Sequence, residues 1–204
     1  MNCLRWIALL PLTMAWALGQ TVHQSRPSGR PSQPEALVRS LYTQVVARHP
    51  VGIPNGANMK VFASYLSKPL LRRIDLADAC SRDWIRQNQG HILKAPFNWA
   101  EAGLFSGGDE KASPGDFQIE GIQAETDGSF RVDVRLMWRP PDGPGSWRVA
   151  ALVIQEGGRY VVDDVVFLRD EGSSPHAPAE WRLSELLTQG CEGPHWVGRG
   201  GRSR

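Results

Sequence analysis

Signatures of catalysis and cofactor binding are largely absent from this 204-residue sequence. It has no glycine-rich phosphate loop, no serine nucleophile elbow and no cysteine–histidine motif, so it does not indicate the enzyme classes that these motifs identify. The histidines do not cluster, although a zinc or iron site needs convergent ligands. The turn at Gly107-Gly108-Asp109-Glu110 has too few spaced oxygen ligands for a calcium loop. The sequence therefore predicts neither a metal nor another cofactor.

A strong excess of charge of one sign is also missing. The chain has 23 Lys and Arg against 21 Asp and Glu, which gives a formal net charge of +2. The excess lies at the ends of the chain, at Arg5 and at Arg199, Arg202 and Arg204. Because a nucleic-acid interface needs Lys and Arg clustered on one face, no nucleic-acid partner is expected.

No apolar run has the length of a membrane span, which takes about 20 residues. The apolar stretch at residues 7–17 follows Arg5 and ends in the small residues Ala17-Leu18-Gly19. This order is typical of a secretory signal peptide. We therefore predict a signal peptide at residues 1–19, cleaved after Gly19, with export to the periplasm or the cell exterior and no stable membrane span after cleavage. A short N-terminal anchor is the alternative.

Cysteine is rare, with three in the whole chain. Cys3 precedes the apolar run and would leave with the signal peptide, so the mature chain would retain Cys80 and Cys191. An even pair in an exported protein predicts a disulfide, here between the helical half and the C-terminal segment. Two free thiols are the alternative. Two cysteines without a matching pair of histidines do not make a zinc site.

The first half of the mature chain is predicted to be helical after a linker. Residues 20–33 are rich in Ser, Pro, Gly and Arg, a composition typical of a disordered linker. Residues 34–48 repeat apolar side chains at helical spacing, which predicts an amphipathic helix ended by His49-Pro50.

Two further helices are predicted before residue 90. Asn58 is a candidate N-cap for a short helix, and Ser67 can cap a longer one over residues 67–89. Residues 91–114 lose all periodicity, which is uncommon unless such a segment is functional or packs across an open face. The predicted inner positions of the longer helix are Leu70, Leu71, Ile74, Ala77, Ser81 and Ile85.

The second half carries strand patterns. Residues 129–138 alternate apolar and charged side chains, which is the period of a half-buried strand. Residues 147–155 and 159–168 follow as further strands, and residues 116–126 precede them, with a bulge predicted at Gly121. Short connections between such strands predict an antiparallel meander. The last strand is apolar on both faces and is therefore expected to be central and covered on both sides.

These elements predict an α+β fold in which N-terminal helices pack on a strongly curved antiparallel sheet. The resulting cone-shaped domain is expected to cover residues 34–169 and to have a cavity at its open end. Residues 170–179 are predicted to be a linker. Residues 180–197 are predicted to extend the domain, with a helix over 180–189, and residues 198–204 to form a disordered tail.

Four short stretches of this sequence can be compared with known families. They are Phe62-Ala63-Ser64-Tyr65-Leu66-Ser67, Gly103-Leu104-Phe105-Ser106-Gly107, Ser113-Pro114-Gly115-Asp116-Phe117 and Val161-Val162-Asp163-Asp164-Val165. These stretches resemble an uncharacterised bacterial domain-of-unknown-function family. The resemblance covers about residues 34–168 and implies a nuclear-transport-factor-2-like fold. The wider superfamily includes isomerases, dehydratases, polyketide cyclases and non-enzymatic binding modules, so the fold does not select a function.

Asp163 and Asp164 interrupt an otherwise apolar strand. Because adjacent strand residues point to opposite faces, Asp164 is expected to share a face with Val162, and one of the two carboxylates to point into the cone. In that position a carboxylate could serve as a general base. The alternative is a structural acid, either paired with Arg131 or Arg148 or placed at the edge of the sheet.

The remaining candidates for a ligand pocket are aromatic. Tyr42 and Tyr65 could present hydroxyl donors to the cavity. Trp84, Trp99 and Trp138 could line an apolar wall. For all five side chains, packing in the core is the alternative.

Two functions of different classes fit these patterns. The first is an exported, non-catalytic module that binds a small apolar ligand or a protein of the cell envelope. The second is a small cofactor-independent isomerase, dehydratase or cyclase with an Asp base and a Tyr donor in the cone. A convergent Asp–Tyr pair at an open cavity would favour the enzyme, and a cavity filled by Trp and Phe would favour the module. A homodimer is left open.

Overall fold

The structure is a computed structural model, and it confirms the predicted α+β class. Helices accompany one five-stranded antiparallel sheet. No described helix is both long and apolar enough to cross a membrane. The predicted signal peptide, the 170–179 linker and the 198–204 tail lie outside the described residues. These are residues 32–90, 95–107, 113–138, 145–168 and 180–191.

The helices and strands of the described chain segregate largely by sequence. The first half contains α1 (Gln33–Arg48), α2 (Gly56–Ala63), α3 (Lys68–Gln87) and a short 3-10 helix (Asn98–Ala100). The second half contains β1 (Asp116–Ala124), β2 (Phe130–Trp138), β3 (Gly145–Glu156), β4 (Arg159–Leu168), β5 (Glu180–Arg182) and α4 (Leu183–Leu186).

Helices α1 and α3 begin at side chains that cap them. The hydroxyl oxygen of Ser32 accepts the N–H of Glu35 at 3.4 Å, and that of Ser67 accepts the N–H of Leu70 at 3.1 Å. Each cap satisfies an N–H that has no partner within its helix. The predicted cap at Ser67 is therefore confirmed. The buried faces of the two helices include Val38, Leu41, Tyr42 and Val45 on α1 and Leu70, Ile74, Ala77 and Cys80 on α3.

Two predicted details of the helices are wrong. Helix α2 begins after Asn55 and not after Asn58, because Asn58 already lies in the first turn and donates its N–H to the carbonyl of Asn55 at 3.1 Å. In α3, Ile85 is 55% exposed. The inner stripe of α3 instead passes through buried Cys80 to half-buried Trp84, which lies one turn further along the same face.

The predicted antiparallel meander is confirmed, since each strand pairs with the next in the order β1-β2-β3-β4-β5. The described sheet is open, with β1 and β5 at its edges. The β1–β2 register shifts between Ile119 and Gly121, next to the predicted bulge. Strand β4 pairs with β3 on one side and with β5 on the other, so its predicted central position, away from the sheet edges, is confirmed. Burial of β4 on both faces is confirmed by Val161, Val162, Val165 and Val166.

The C-terminal segment (residues 180–191) differs from the predicted helix over residues 180–189. It begins as β5, which places Arg182 opposite Val166 and Glu180 opposite Leu168. Only the next four residues form α4. Pairing prevails over helical periodicity here because the edge of β4 would otherwise leave backbone N–H and C=O groups without partners.

The irregular segment (residues 95–107) packs into the core. Phe97, Trp99, Leu104 and Phe105 are all at most 4% exposed. Two hydrogen bonds from other elements fix it, since Trp147 donates its Nε1–H to the carbonyl of Ser106 at 2.7 Å and Tyr42 donates its hydroxyl to that of Phe105 at 3.0 Å. These side chains of the irregular segment therefore belong to the packed hydrophobic core.

Candidate functional site

Strand β4 carries a bulge at the two candidate carboxylates. Its register against β3 shifts between Val162 and Asp164, so Asp163 is an extra residue in the strand. As a result Val162 and Val165, which are three positions apart, both belong to the core. The predicted alternation, in which Asp164 shares a face with Val162, is wrong because the bulge breaks the period of two.

Asp163 holds the start of α3. The hydroxyl of Ser67 donates to Oδ1 of Asp163 at 2.6 Å while its oxygen accepts the N–H of Leu70 at 3.1 Å. Ser67 is fully buried and Asp163 is half-buried. One hydroxyl thus connects the bulge in β4 to the N-terminus of α3, where the helix dipole also favours a negative charge.

Asp164 holds the start of α4 and is 6% exposed. Its Oδ1 accepts the N–H groups of Val165 and Ser184 at 2.9 and 3.0 Å, and its Oδ2 accepts the hydroxyl of Ser184 at 2.6 Å. Both oxygens are therefore satisfied, as burial of a carboxylate requires. These contacts tie the C-terminal segment to β4.

Neither carboxylate pairs with an arginine in the described part of the chain, so the predicted partners Arg131 and Arg148 are wrong. Arg131 contacts Asp133 and Glu180 at 3.0 and 3.1 Å, and Arg148 contacts Glu120 at 3.1 Å. Donors at the starts of two helices supply the compensation instead. The Asp163–Ser67 and Asp164–Ser184 contacts join segments that are distant in the sequence, so local sequence patterns do not predict them.

The two candidate tyrosines do not meet these carboxylates. Tyr42 is fully buried and its hydroxyl donates to the carbonyl of Phe105. Burial raises the pKa of Tyr42 above its usual value, so the hydroxyl stays protonated and acts as a fixed donor. Tyr65 is half-buried, and its backbone carbonyl accepts the N–H of Val162 at 2.8 Å. Tyr42 is thus a core side chain, and a pocket role for Tyr65 stays a prediction.

The hydroxyl of Tyr42 can be tested by Tyr42→Phe. We expect the free energy of unfolding to fall by about 1–2 kcal/mol, because the buried carbonyl of Phe105 loses its donor. Urea unfolding followed by circular dichroism measures this change. Tyr65→Phe is the matched control and should change the value by less than about 0.5 kcal/mol. Equal effects of the two variants would contradict the assigned role of Tyr42.

Two of the three candidate tryptophans meet through Phe97. Trp84 lies edge-on to Phe97 with ring centroids 6.1 Å apart, and Trp99 stacks on Phe97 at 5.2 Å. Trp99 is buried and Trp84 is half-buried. Trp138 ends β2 opposite Gly145 and makes no ring contact with this cluster among the described residues. The three side chains therefore do not form one wall.

The predicted disulfide between Cys80 and Cys191 is confirmed, with the two Cα atoms 6.0 Å apart. Both cysteines are buried. The disulfide joins α3 to the end of the C-terminal segment. Together with the β5 pairing and the Asp164–Ser184 contact, it fastens this segment to the rest of the domain.

A groove that the sequence patterns did not reveal opens where α1 meets α2. Its volume is about 300 Å³. Arg48, His49, Asn55 and Asn58 contribute polar groups, and Ile53 and Phe62 contribute apolar ones. The sequence signals only a Gly/Pro/Asn loop in this region, because the groove depends on how two helices meet.

Other chemistry is sparse in the described part of the chain, which contains no group of three or more His, Cys, Asp or Glu placed to hold a metal. In comparisons with protein-family models, with curated proteins and with solved structures, nothing matches this chain. A function must therefore be argued from the residues themselves.

Proposed function

We propose that the mature chain is an exported, non-catalytic module that binds a small ligand and is built on a nuclear-transport-factor-2-like cone. The observation that carries this proposal is the role of Asp163 and Asp164. A general base needs a carboxylate oxygen that is open to a substrate proton. Here both oxygens of buried Asp164 accept hydrogen bonds from Val165 and Ser184, and Oδ1 of Asp163 accepts the hydroxyl of Ser67, so both carboxylates hold the starts of helices.

The cone is supported by what the family-like stretches do in the fold. Ser67 and Asp163 come from two of these stretches and hydrogen-bond to each other at 2.6 Å. Phe62 and Phe105 come from two of them as well, with ring centroids 5.0 Å apart. Three of the four stretches therefore contact one another, and they join the helical half of the chain to β4, as a cone of this kind requires.

The enzyme alternative needs an Asp base beside a Tyr donor at an open cavity. In the described residues no hydrogen bond joins a tyrosine hydroxyl to an aspartate, and Tyr42 is fully buried. The aromatic side chains Phe97, Trp99 and Phe105 of the irregular segment are buried in the core. No specific observation favours catalysis over binding.

Export is supported by the predicted signal peptide and by the disulfide, since disulfides persist in oxidising compartments. We expect the protein, expressed with its full sequence in a bacterium, to appear in the periplasm or medium with Gln20 as its first residue. N-terminal sequencing checks this. A mature protein that retains Met1 would contradict both the cleavage after Gly19 and the assignment of residues 1–19 as a signal peptide.

Ligand binding can be tested by titrating the isotope-labelled mature chain with a library of small neutral and charged compounds. We expect at least one compound to shift backbone amide resonances in a saturable way, without being converted. Absence of any saturable shift would contradict the module. So would turnover of a compound that Asp163→Asn or Asp164→Asn abolishes without a change in thermal melting.

A further inference from the structure

The groove between α1 and α2 has the size of a small-molecule pocket, and its lining includes a positive charge but no negative one. Its volume of about 300 Å³ lies at the lower end of the range for small-molecule pockets, roughly 300–1,000 Å³. Arg48 contributes a positive charge to the lining, and no Asp or Glu lines the groove. The groove therefore favours a small ligand that carries a negative charge.

Arg48 is oriented without being neutralised. Its Nε–H donates to Oε1 of Gln44 at 2.9 Å, and its Nη1 donates to Oδ1 of Asn58 at 3.0 Å. Both acceptors are neutral amides, and no carboxylate pairs with Arg48 in the described part of the chain. By contrast Arg39 on the same helix forms an ion pair with Glu35 at 2.7 Å. A guanidinium held by neutral partners keeps its charge for an oxyanion.

The rest of the lining can recognise the body of such a ligand. His49 ends α1 in the left-handed conformation, with φ 45°, and its N–H donates to the carbonyl of Val45 at 2.9 Å. This cap fixes the residue beside Arg48. Asn55 makes no capping bond with its side chain, so its amide can face a ligand. Buried Phe62 and half-buried Ile53 give the groove an apolar base.

We infer that this groove binds a small organic anion. Its carboxylate or phosphate group contacts Arg48 and the amides of Asn55 and Asn58, and its body rests against Ile53, with buried Phe62 beneath the groove. This inference rests on the proposed function as a binding module and names both the site and the ligand class.

Benzoate and benzyl alcohol are matched probes, because they share a body and differ in charge. Titrations of the mature chain are followed by the resonances of the Arg48 Nε–H, the Asn58 amide and the Ile53 methyl groups. We expect benzoate to shift all three and to bind at least about tenfold more tightly than benzyl alcohol, since charge-assisted hydrogen bonds are the stronger ones. Added salt should weaken the binding of benzoate.

Arg48→Gln should weaken benzoate binding by at least about tenfold, and Arg39→Gln, the matched control on the same helix, by less than about twofold. Thermal melting of both variants checks that they fold, since both arginines are exposed. Equal binding of the two probes, or benzoate binding that Arg48→Gln leaves unchanged, would overturn the anion site. Saturable binding of another compound away from the groove, with no binding of benzoate in it, would overturn the anion site and leave the binding module standing. Failure of every compound to bind would overturn both.

Discussion

Replacing Asp164 with asparagine is expected to lower the free energy of unfolding by about 2–3 kcal/mol. The carboxylate is 6% exposed and accepts three hydrogen bonds, two of them from Ser184. An amide removes the charge and places an N–H₂ group where an acceptor is required. At least one buried donor then loses its partner, and the start of α4 is released from β4.

Urea unfolding followed by circular dichroism measures this effect, with Asp163→Asn and Asp75→Asn as comparisons. Asp163 is half-buried and accepts one side-chain hydrogen bond, from Ser67, so its replacement should cost about 1 kcal/mol. Asp75 is exposed on α3 and should stay within about 0.5 kcal/mol of the unmodified protein. An Asp164→Asn variant as stable as Asp75→Asn would show that the carboxylate does not hold the C-terminal segment.

Removing the disulfide with Cys80→Ala and Cys191→Ala together should lower the free energy of unfolding by about 2–4 kcal/mol. The two cysteines are 111 positions apart, so the cross-link restricts a large loop of the unfolded chain. At about 2–4 °C per kcal/mol for a domain of this size, we expect the melting temperature to fall by roughly 5–15 °C. Residues 180–191 should also become more sensitive to proteolysis, because the cross-link at their C-terminal end is lost and only non-covalent contacts then hold them.

The unmodified protein in reducing agent is the control for this pair of substitutions. It loses the cross-link and keeps both sulfur atoms, so the difference between it and the double variant reports packing alone. Thermal melting followed by circular dichroism, with and without reductant, gives the melting temperatures of the unmodified protein and of the double variant. An unchanged melting temperature after reduction would contradict a stabilising role for the disulfide.

The sequence by itself determined the elements whose signals are local. Alternation of apolar and charged side chains located β2, and turn residues between strands gave the meander. Ser67, as a predicted N-cap, gave the start of α3. The cysteine count and the predicted export together gave the Cys80–Cys191 pair. In each case the prediction needs only neighbouring residues or the number of residues of one type.

Only the tertiary structure decided what depends on contacts between distant segments. The first three residues of the helical pattern at 180–189 became β5 because β4 offered an unpaired edge. Asp163 and Asp164 were found as unusual residues in β4, but their partners Ser67 and Ser184 lie 96 and 20 positions away.

The bulge and the groove show the same limit. The bulge at Asp163 inserts one extra residue into β4. Side chains after it therefore point to the opposite face from the one that simple alternation along the sequence predicts. The groove beside Arg48 arises from the meeting of α1 and α2 across a loop that has no periodicity. Local patterns determine which segments become helices and strands, whereas burial and hydrogen-bond satisfaction across the whole chain determine which side chains meet.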